Sequence, residues 1–440
     1  MNVLITGWGI LSPLGVTREE FAASVRAGRS GIAPIDRFDT SALASHQAAM
    51  IRDPVDYKRH IPAARLRRMD TLSRQLAYVA CEAWHHAGLA DRPVSPERRA
   101  VVVASGMNHT ESIEQFYVSL LEEGPEGANP ILFPATIPNS AGGLIAIELE
   151  CRGPNLTITQ KETSAEAALT VAAQLLENDE ADVVLLAAGE LLTLVVFNGL
   201  AELQALSRAG RGQIEAMRPF SRRRNGFIAG EGAAAVVLER RNDDAAAPPS
   251  ALGRLVAAAE CCQPCPSVKY PTDPAPMAQA VASLLSTAGR DPRAIAFLSS
   301  AANSTRSLDA CEAEAIARIA PQLARRNNPL PIAALKALTG ELCAGGLTRI
   351  LAALVALRSG ICPALPFHSD AYDSEFDNLR LSYQDAPITA AGADCLHLAS
   401  AAGGHQTVLW LTAENCGVGC GPVKNRNGVI SSAFQEICTG

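Results

Sequence analysis

Few residues in this sequence have the type and spacing to do chemistry. Cys261-Cys-Gln-Pro-Cys265 has the form of half a zinc site, but no second Cys/His pair follows at a matching distance. Thr163 and Ser164 carry hydroxyls that could serve as nucleophiles, and no base is evident beside them. The basic runs Arg65–Arg68 and Arg222–Arg224 could meet an acidic partner, although a solvated helix face and a structural motif explain them more simply. In the helical segment 110–121, Thr110, Ile113 and Tyr117 fall at i, i+3 and i+7, and so on one face. On periodicity alone that face, with Phe116 and Phe133 beside it, is as readily an ordinary core-facing stripe as a functional one.

The elements that must position these residues alternate in type. Val3–Thr6, Ala100–Ala104, Ala181–Ala188 and Ala233–Glu239 read as strands, and Arg18–Ala27, Leu72–Ala87, Ser112–Leu121 and Ser164–Glu177 as helices. Runs without alternation suit strands buried on both faces, so the expected class is α/β. The polar, Pro-rich stretch Arg241–Ser250 predicts a division into residues 1–250 and 251–415, with 416–440 as a Gly- and Asn-rich extension. Apolar residues make up 48% and charged ones 19%, which excludes a disordered chain. The net charge of -7 makes nucleic acid a poor partner. Val183–Leu203, the most apolar stretch, is interrupted by Glu190 and Asn198, so it reads as a buried strand and a following segment, not a membrane span. Twelve scattered cysteines and no basic leader segment suggest reduced thiols in a cytoplasm.

Ordered along about residues 1–415 are Ile5-Thr-Gly-Trp-Gly-Ile-Leu-Ser-Pro-Leu-Gly15, Ala27-Gly-Arg-Ser-Gly-Ile32, Arg37-Phe-Asp39, Gly153-Pro-Asn-Leu-Thr157, Arg218-Pro-Phe220, Arg224-Asn-Gly-Phe-Ile-Ala-Gly-Glu-Gly232, Lys336-Ala-Leu-Thr-Gly340 and Gly403-Gly-His405. In these segments the chain resembles the β-ketoacyl synthase (condensing enzyme) family of the thiolase fold. The resemblance implies a five-layered αβαβα core made of two similar halves.

The same resemblance fails where the family does its chemistry. The family's nucleophilic cysteine, in a Thr-Ala-Cys pattern, corresponds to Glu162 of Gln160-Lys161-Glu162. Its first catalytic histidine corresponds to Ala301 of Ala301-Ala-Asn-Ser-Thr305, with Asp309 retained, and its second, five residues after Lys336, to Glu341. The Phe-rich gate before Gly-Gly is replaced by Ser400-Ala-Ala402. Condensation needs a thiolate and donors to the thioester oxygen. None of the 12 cysteines stands at the nucleophile position, and the nearest in sequence is Cys151. No catalytic residue is therefore expected. His405, beside the Gly-Gly turn, is not one of the family's catalytic histidines and reads as structural.

What the resemblance implies instead is the inactive partner of type II polyketide ketosynthases, the chain-length factor, which forms a pseudo-symmetric heterodimer with an active homologue. Glu where aromatic-polyketide versions carry Gln suggests a branch serving polyene-type chains. Such a partner would pair through the edge strand Asn155-Leu156-Thr157-Ile158-Thr159. It would line a shared acyl tunnel with Thr110, Ile113, Phe116, Tyr117 and Phe133, without a cofactor of its own. The acyl chain would arrive on the phosphopantetheine of an acyl carrier protein. Glu162 either caps its helix, at about 0.3–1 kcal/mol, or supports the partner and the tunnel. Glu162 and Glu341 are expected to converge in one cavity, neutralised by Lys336 and also by Lys161. The alternatives are a malonyl carrier-protein decarboxylase supplying primer, which the loss of both histidines disfavours, and a homodimeric acyl-binding scaffold.

Overall fold

The computed structural model describes residues 2–130, 132–210, 214–240, 247–323, 330–363, 375–376, 386–387 and 394–414. Residues 241–246 of the expected linker and the extension 416–440 lie outside them. Ten strands carry the fold: β1 (Val3–Leu11), β2 (Arg99–Ala104), β3 (Asn155–Ile158), β4 (Val183–Glu190), β5 (Gly232–Arg240), β6 (Gly253–Cys262), β7 (Ile295–Ser299), β8 (Ile332–Ala333), β9 (Asp394–Ser400) and β10 (His405–Ala413). Their order is β8-β7-β9-β10-β6-β1-β5-β4-β2-β3. This is one five-strand pattern used twice. In the first half β1 is antiparallel to β5, β5 to β4, and β4 and β3 are parallel to β2. In the second, β6, β10, β9, β7 and β8 repeat the same senses. The halves join where Val3 pairs with Leu255.

The helices that place the site are α1 (Arg18–Arg26), α2 (Thr71–His86), α3 (Thr110–Glu123), α4 (Ser140–Glu148), α5 (Ser164–Glu177), α6 (Leu194–Glu202), α7 (Ala275–Thr287), α8 (Arg306–Leu323) and α9 (Gly346–Ser359). Helices α2 and α4 cover the outer face of the first sheet, and α7 and α8 lie outside the second. Helices α5 and α9 pack on each other between the two sheets, which gives the five-layered αβαβα core. The strands facing helices on both sides have apolar centres: Val3, Ile5, Val101–Val103 and Leu185–Ala187 are all buried. Each buried valine or leucine side chain contributes about 1.5–3 kcal/mol. Glycine in Ile5-Thr-Gly-Trp-Gly has a packing reason: a Cβ on Gly7 would sit 2.2 Å from the Ala83 carbonyl oxygen of α2, and on Gly9 2.3 Å from that of Val79.

Expected and observed elements agree in kind and differ at their ends. The first strand runs on to Leu11, because Gly7 and Gly9 interrupt its apolar pattern but not its pairing to β5. The apolar stretch 183–203 divides into β4 and α6, whose N-cap Thr193 accepts from the Val196 N–H. Strand β3 stops at Ile158, so Thr159, expected within the pairing edge, lies just outside it. Among the described residues no helix is long and apolar enough to cross a membrane.

Candidate functional site

Glu162 and Glu341 occupy equivalent places in the repeated half. Glu162 stands in the turn Lys161–Thr163 between β3 and α5, and Glu341 in the turn between β8 and α9. Because α5 and α9 are neighbours in the middle layer, the two turns meet. The Glu162 carboxylate accepts from the Tyr270 hydroxyl at 3.1 Å and from the Ala402 N–H at 3.1 Å. Asn303 Nδ2 donates to the Tyr270 oxygen at 3.1 Å and to Glu341 Oε2 at 2.6 Å, and Lys336 Nζ reaches the same Glu341 oxygen at 2.7 Å. One chain of contacts thus runs Ala402–Glu162–Tyr270–Asn303–Glu341–Lys336, and the expected convergence is of this linked kind.

The charge distribution follows from geometry. Burial, and secondly the Glu341 carboxylate, raise the Glu162 pKa above the usual carboxylate range. Lys336 pairs with Glu341, with both side chains nearly fully buried. Lys161 does not join the pair, contrary to expectation. Its backbone takes a left-handed φ of 51°, which turns the side chain away to the Ser267 carbonyl. Nor does Glu162 cap α5: the N-cap, Thr163, makes no side-chain cap bond, and the Glu162 carboxylate is spent on Tyr270 and Ala402.

Ala301, Asp309 and the 224–232 motif make backbone and carboxylate contacts around this cluster. Ala301 offers only its N–H, donated to Glu312 at 2.7 Å. Asp309 accepts from the N–H groups of Phe220, Asn303 and Ser304, and burial raises it to about 7. In the 224–232 motif, buried Arg224 lies 3.7 Å from Asp309, while Glu231 receives both Arg37 terminal nitrogens at 2.7 and 2.6 Å. Between them the Ile228 carbonyl accepts the Glu341 N–H, and the Gly230 N–H donates to the Glu341 carbonyl. The motif therefore holds the Glu341 backbone in place.

Two side chains of nucleophilic type, Cys343 and Thr163, lie near this cluster. Cys343 is the thiol beside this cluster; burial, then Glu162, Glu190 and Glu341, push it well above the usual thiol range, so the thiolate is suppressed. A base does stand next to Thr163, which corrects the sequence expectation: His405 Nδ1 is 2.8 Å from its hydroxyl. The distance in sequence, 163 to 405, hid the contact. Thr163 is nevertheless fully buried and donates to the Gln160 carbonyl at 3.0 Å, so it presents no attacking oxygen. His405 bridges Thr163 and Glu260, as a structural residue would. Sequence reading missed Tyr270 and the Ala402 amide. Tyr270 lies outside every family motif, and a backbone N–H leaves no residue signature.

The tunnel candidates lie apart from this cluster. Ile113 and Phe116 on α3 are half-buried, Tyr117 and Phe133 are 55% and 54% exposed, and Thr110 bonds back to the Met107 carbonyl. The Phe116 ring is 6.0 Å from that of Tyr117 and 5.7 Å from that of Phe133. The single chain gathers them into a surface patch and does not enclose them. The edge of β3, unpaired among the described residues and with Leu156 exposed, completes that side of the first sheet.

A repeated five-strand half, two central helices and two opposed turns where β3 and β8 end define a thiolase-type condensing fold. The chain belongs to the β-ketoacyl synthase family: the family's N-terminal domain model matches residues 1–244 and its C-terminal domain model residues 252–367. It is similar to 3-oxoacyl-[acyl-carrier-protein] synthase 2 of Coxiella burnetii, 30% identical over 82% of this chain and 87% of the relative. It is also similar to the synthase of the same name from Synechocystis sp., 26% identical over 86% and 90%. Among solved structures, the ishigamide ketosynthase/chain length factor aligns with a TM-score of 0.80 at 23% identity, covering 94% of this chain and 99% of that one. A type II PKS ketosynthase in complex with its acyl-carrier protein aligns at 0.77 and 21%, covering 94% and 99%. At those identities the structural likeness speaks for the fold.

Proposed function

We propose that this chain is a non-catalytic, chain-length-factor-like partner of an active β-ketoacyl synthase in type II polyketide biosynthesis, of the branch that makes polyene-type chains. The observation that carries this reading is the filled site. Glu162 occupies the nucleophile position with its carboxylate bonded to Tyr270 and the Ala402 N–H, while Ala301 and Glu341 stand for the two histidines. A cytoplasmic heterodimer formed by antiparallel pairing at the free β3 edge would supply the missing nucleophile from the homologue and cover Leu156. The patch of Phe116, Tyr117 and Phe133, with Ile113 and Thr110 on the same helix, then becomes the wall of a shared tunnel. The growing chain comes on the phosphopantetheine arm of an acyl carrier protein, and this subunit holds no cofactor itself. The malonyl decarboxylase alternative gains no support from a site without histidines.

The wall can be tested by changing its depth. Ile113→Trp in the assembled pair is expected to shorten the products and Tyr117→Ala to lengthen them, each by at least one condensation unit, read by mass spectrometry of the released acyl chains. An unchanged spectrum from a correctly assembled pair contradicts the wall.

A further inference from the structure

Helix α3 has little packing of its own to hold it. Ser112 is the residue it buries. On the side away from Thr110, Ile113 and Tyr117, a cleft of about 840 Å³ separates it from the body, with Glu111, Gln115, Val118 and Glu122 on the helix side and Leu192 opposite. Further along, Ser119 accepts the Asn129 N–H at 3.4 Å and Phe116 meets Phe133, while the ties of this helix to the first sheet lie at its N-terminus. The buried Glu190 carboxylate, at the end of β4, accepts from the N–H groups of Gly106 and Met107, the latter at 3.2 Å, and from the Ser105 hydroxyl at 3.3 Å. Ser105 Oγ in turn accepts the Asn108 N–H at 2.9 Å, and the Met107 carbonyl accepts from Thr110. Four consecutive residues before the helix are thus tied to one carboxylate, directly or through Ser105. A second tie, Asp70 Oδ2 to His109 Nδ1 at 2.6 Å and to Ser112 at 3.1 Å, lies one turn further on. Gly106 is wedged as well: a Cβ there would lie 2.4 Å from that of Cys343 and 3.1 Å from the Lys161 Cα.

We propose that Glu190 is the positioning residue of α3, setting where the tunnel wall stands relative to the filled site. The inference rests on the reading of α3 as that wall. Glu190 acts through the 105–108 turn and touches no acyl chain, so loss of its carboxylate should free the helix without disturbing the sheets.

The test is hydrogen exchange by mass spectrometry on the full chain, paired with product analysis of the assembled synthase. Glu190→Ala is expected to speed exchange in peptides spanning 105–123 by about tenfold or more, with β4 and α5 unchanged. Glu190→Gln, whose amide oxygen keeps the Gly106 and Ser105 contacts, should stay near wild type. Unchanged exchange at 105–123, or an equal rise over the whole chain, overturns the proposal. If Glu190→Ala does not fold, Ser105→Ala decides, by faster exchange confined to 105–123 or by none. A broader product distribution from the loosened variant is the expected companion result. Loosening with unaltered products contradicts the tunnel reading and leaves the positioning of α3 by Glu190 standing.

Discussion

Replacing Glu166 by alanine is expected to cost about 3–5 kcal/mol of folding stability, the largest single-residue effect the structure implies outside the apolar core. Glu166 lies on α5 one turn beyond Glu162 and is fully buried. Its carboxylate is 2.6 Å from the Arg349 guanidinium of α9 and 3.0 Å from His397 Nε2 of β9. Arg349 also donates to the carbonyls of Ser300 and Leu398, and His397 Nδ1 lies 3.1 Å from the Ser299 hydroxyl. This one carboxylate therefore ties both central helices to the second sheet, and its removal strands a buried guanidinium. Replacing the ion pair as a unit, Glu166→Leu with Arg349→Met, should recover most of the loss, because desolvation then falls on neither charge. Urea midpoints distinguish the cases, and a drop below about 1 kcal/mol in the single variant would contradict the assignment.

The same cluster gives the fold an acid limit. Burial, and secondly the Arg349 charge, lower His397 from 6.5 to about 4, so it is neutral in the folded chain. Between those values the unfolded chain binds the proton and the folded one does not. The contribution of His397 to stability is therefore lost as pH falls from about 6.5 to about 4. Glu166 adds to the loss at the lower end: its pKa is also depressed, the His397 hydrogen bond and the Arg349 charge outweighing burial. Asp309 and Glu190, both raised to about 7 by burial, take up protons over the same range and act in the opposite sense, so the His397 effect is read by difference: the stability advantage of wild type over His397→Gln should shrink as pH falls from about 6.5 to about 4.

Restoring the nucleophile alone should not restore condensation. Glu162→Cys would place a thiol at the head of α5, yet the groups that would assist it remain absent. Each missing donor to a developing oxyanion costs about 10²–10³ in rate, so the losses at 301 and 341 together predict about 10⁴–10⁶ below an active family member. The neighbouring Glu190 and Glu341 carboxylates would further oppose formation of a thiolate. A single-turnover acyl-transfer and condensation assay reads this directly. A rate within tenfold of an active synthase would show that the site is less dismantled than its residues imply.

The sequence carried the fold further than the site. Strand–helix alternation and the ordered motifs were enough to expect two similar α/β halves. By the resemblance, Glu162, Ala301 and Glu341 correspond to the family's cysteine and two histidines, a correspondence on which the proposed function rests. Long-range side-chain geometry could not be read in this way. Tyr270 reaches Glu162 across 108 residues, and His405 reaches Thr163 across 242, and no local pattern encodes either contact. Lys161, a candidate second to Lys336 for neutralising the carboxylates, is turned outward by its left-handed backbone. Glu190 registered only as an interruption in an apolar run. Its work, holding the turn ahead of α3, is visible once strand β4 and that turn are side by side.

On the proposed function, this chain contributes shape and not chemistry to a two-subunit condensing enzyme. The most direct test of this is to co-express the chain with an active ketosynthase homologue, measure the mass of the purified complex, and assay condensation on a malonyl-charged acyl carrier protein for the pair and for each chain alone. The predicted result is a one-to-one complex active only as the pair, with activity abolished by removing the homologue's nucleophilic cysteine and preserved in Glu162→Gln. A stable homodimer of this chain that does not exchange with the homologue, or condensation by this chain alone, would contradict it.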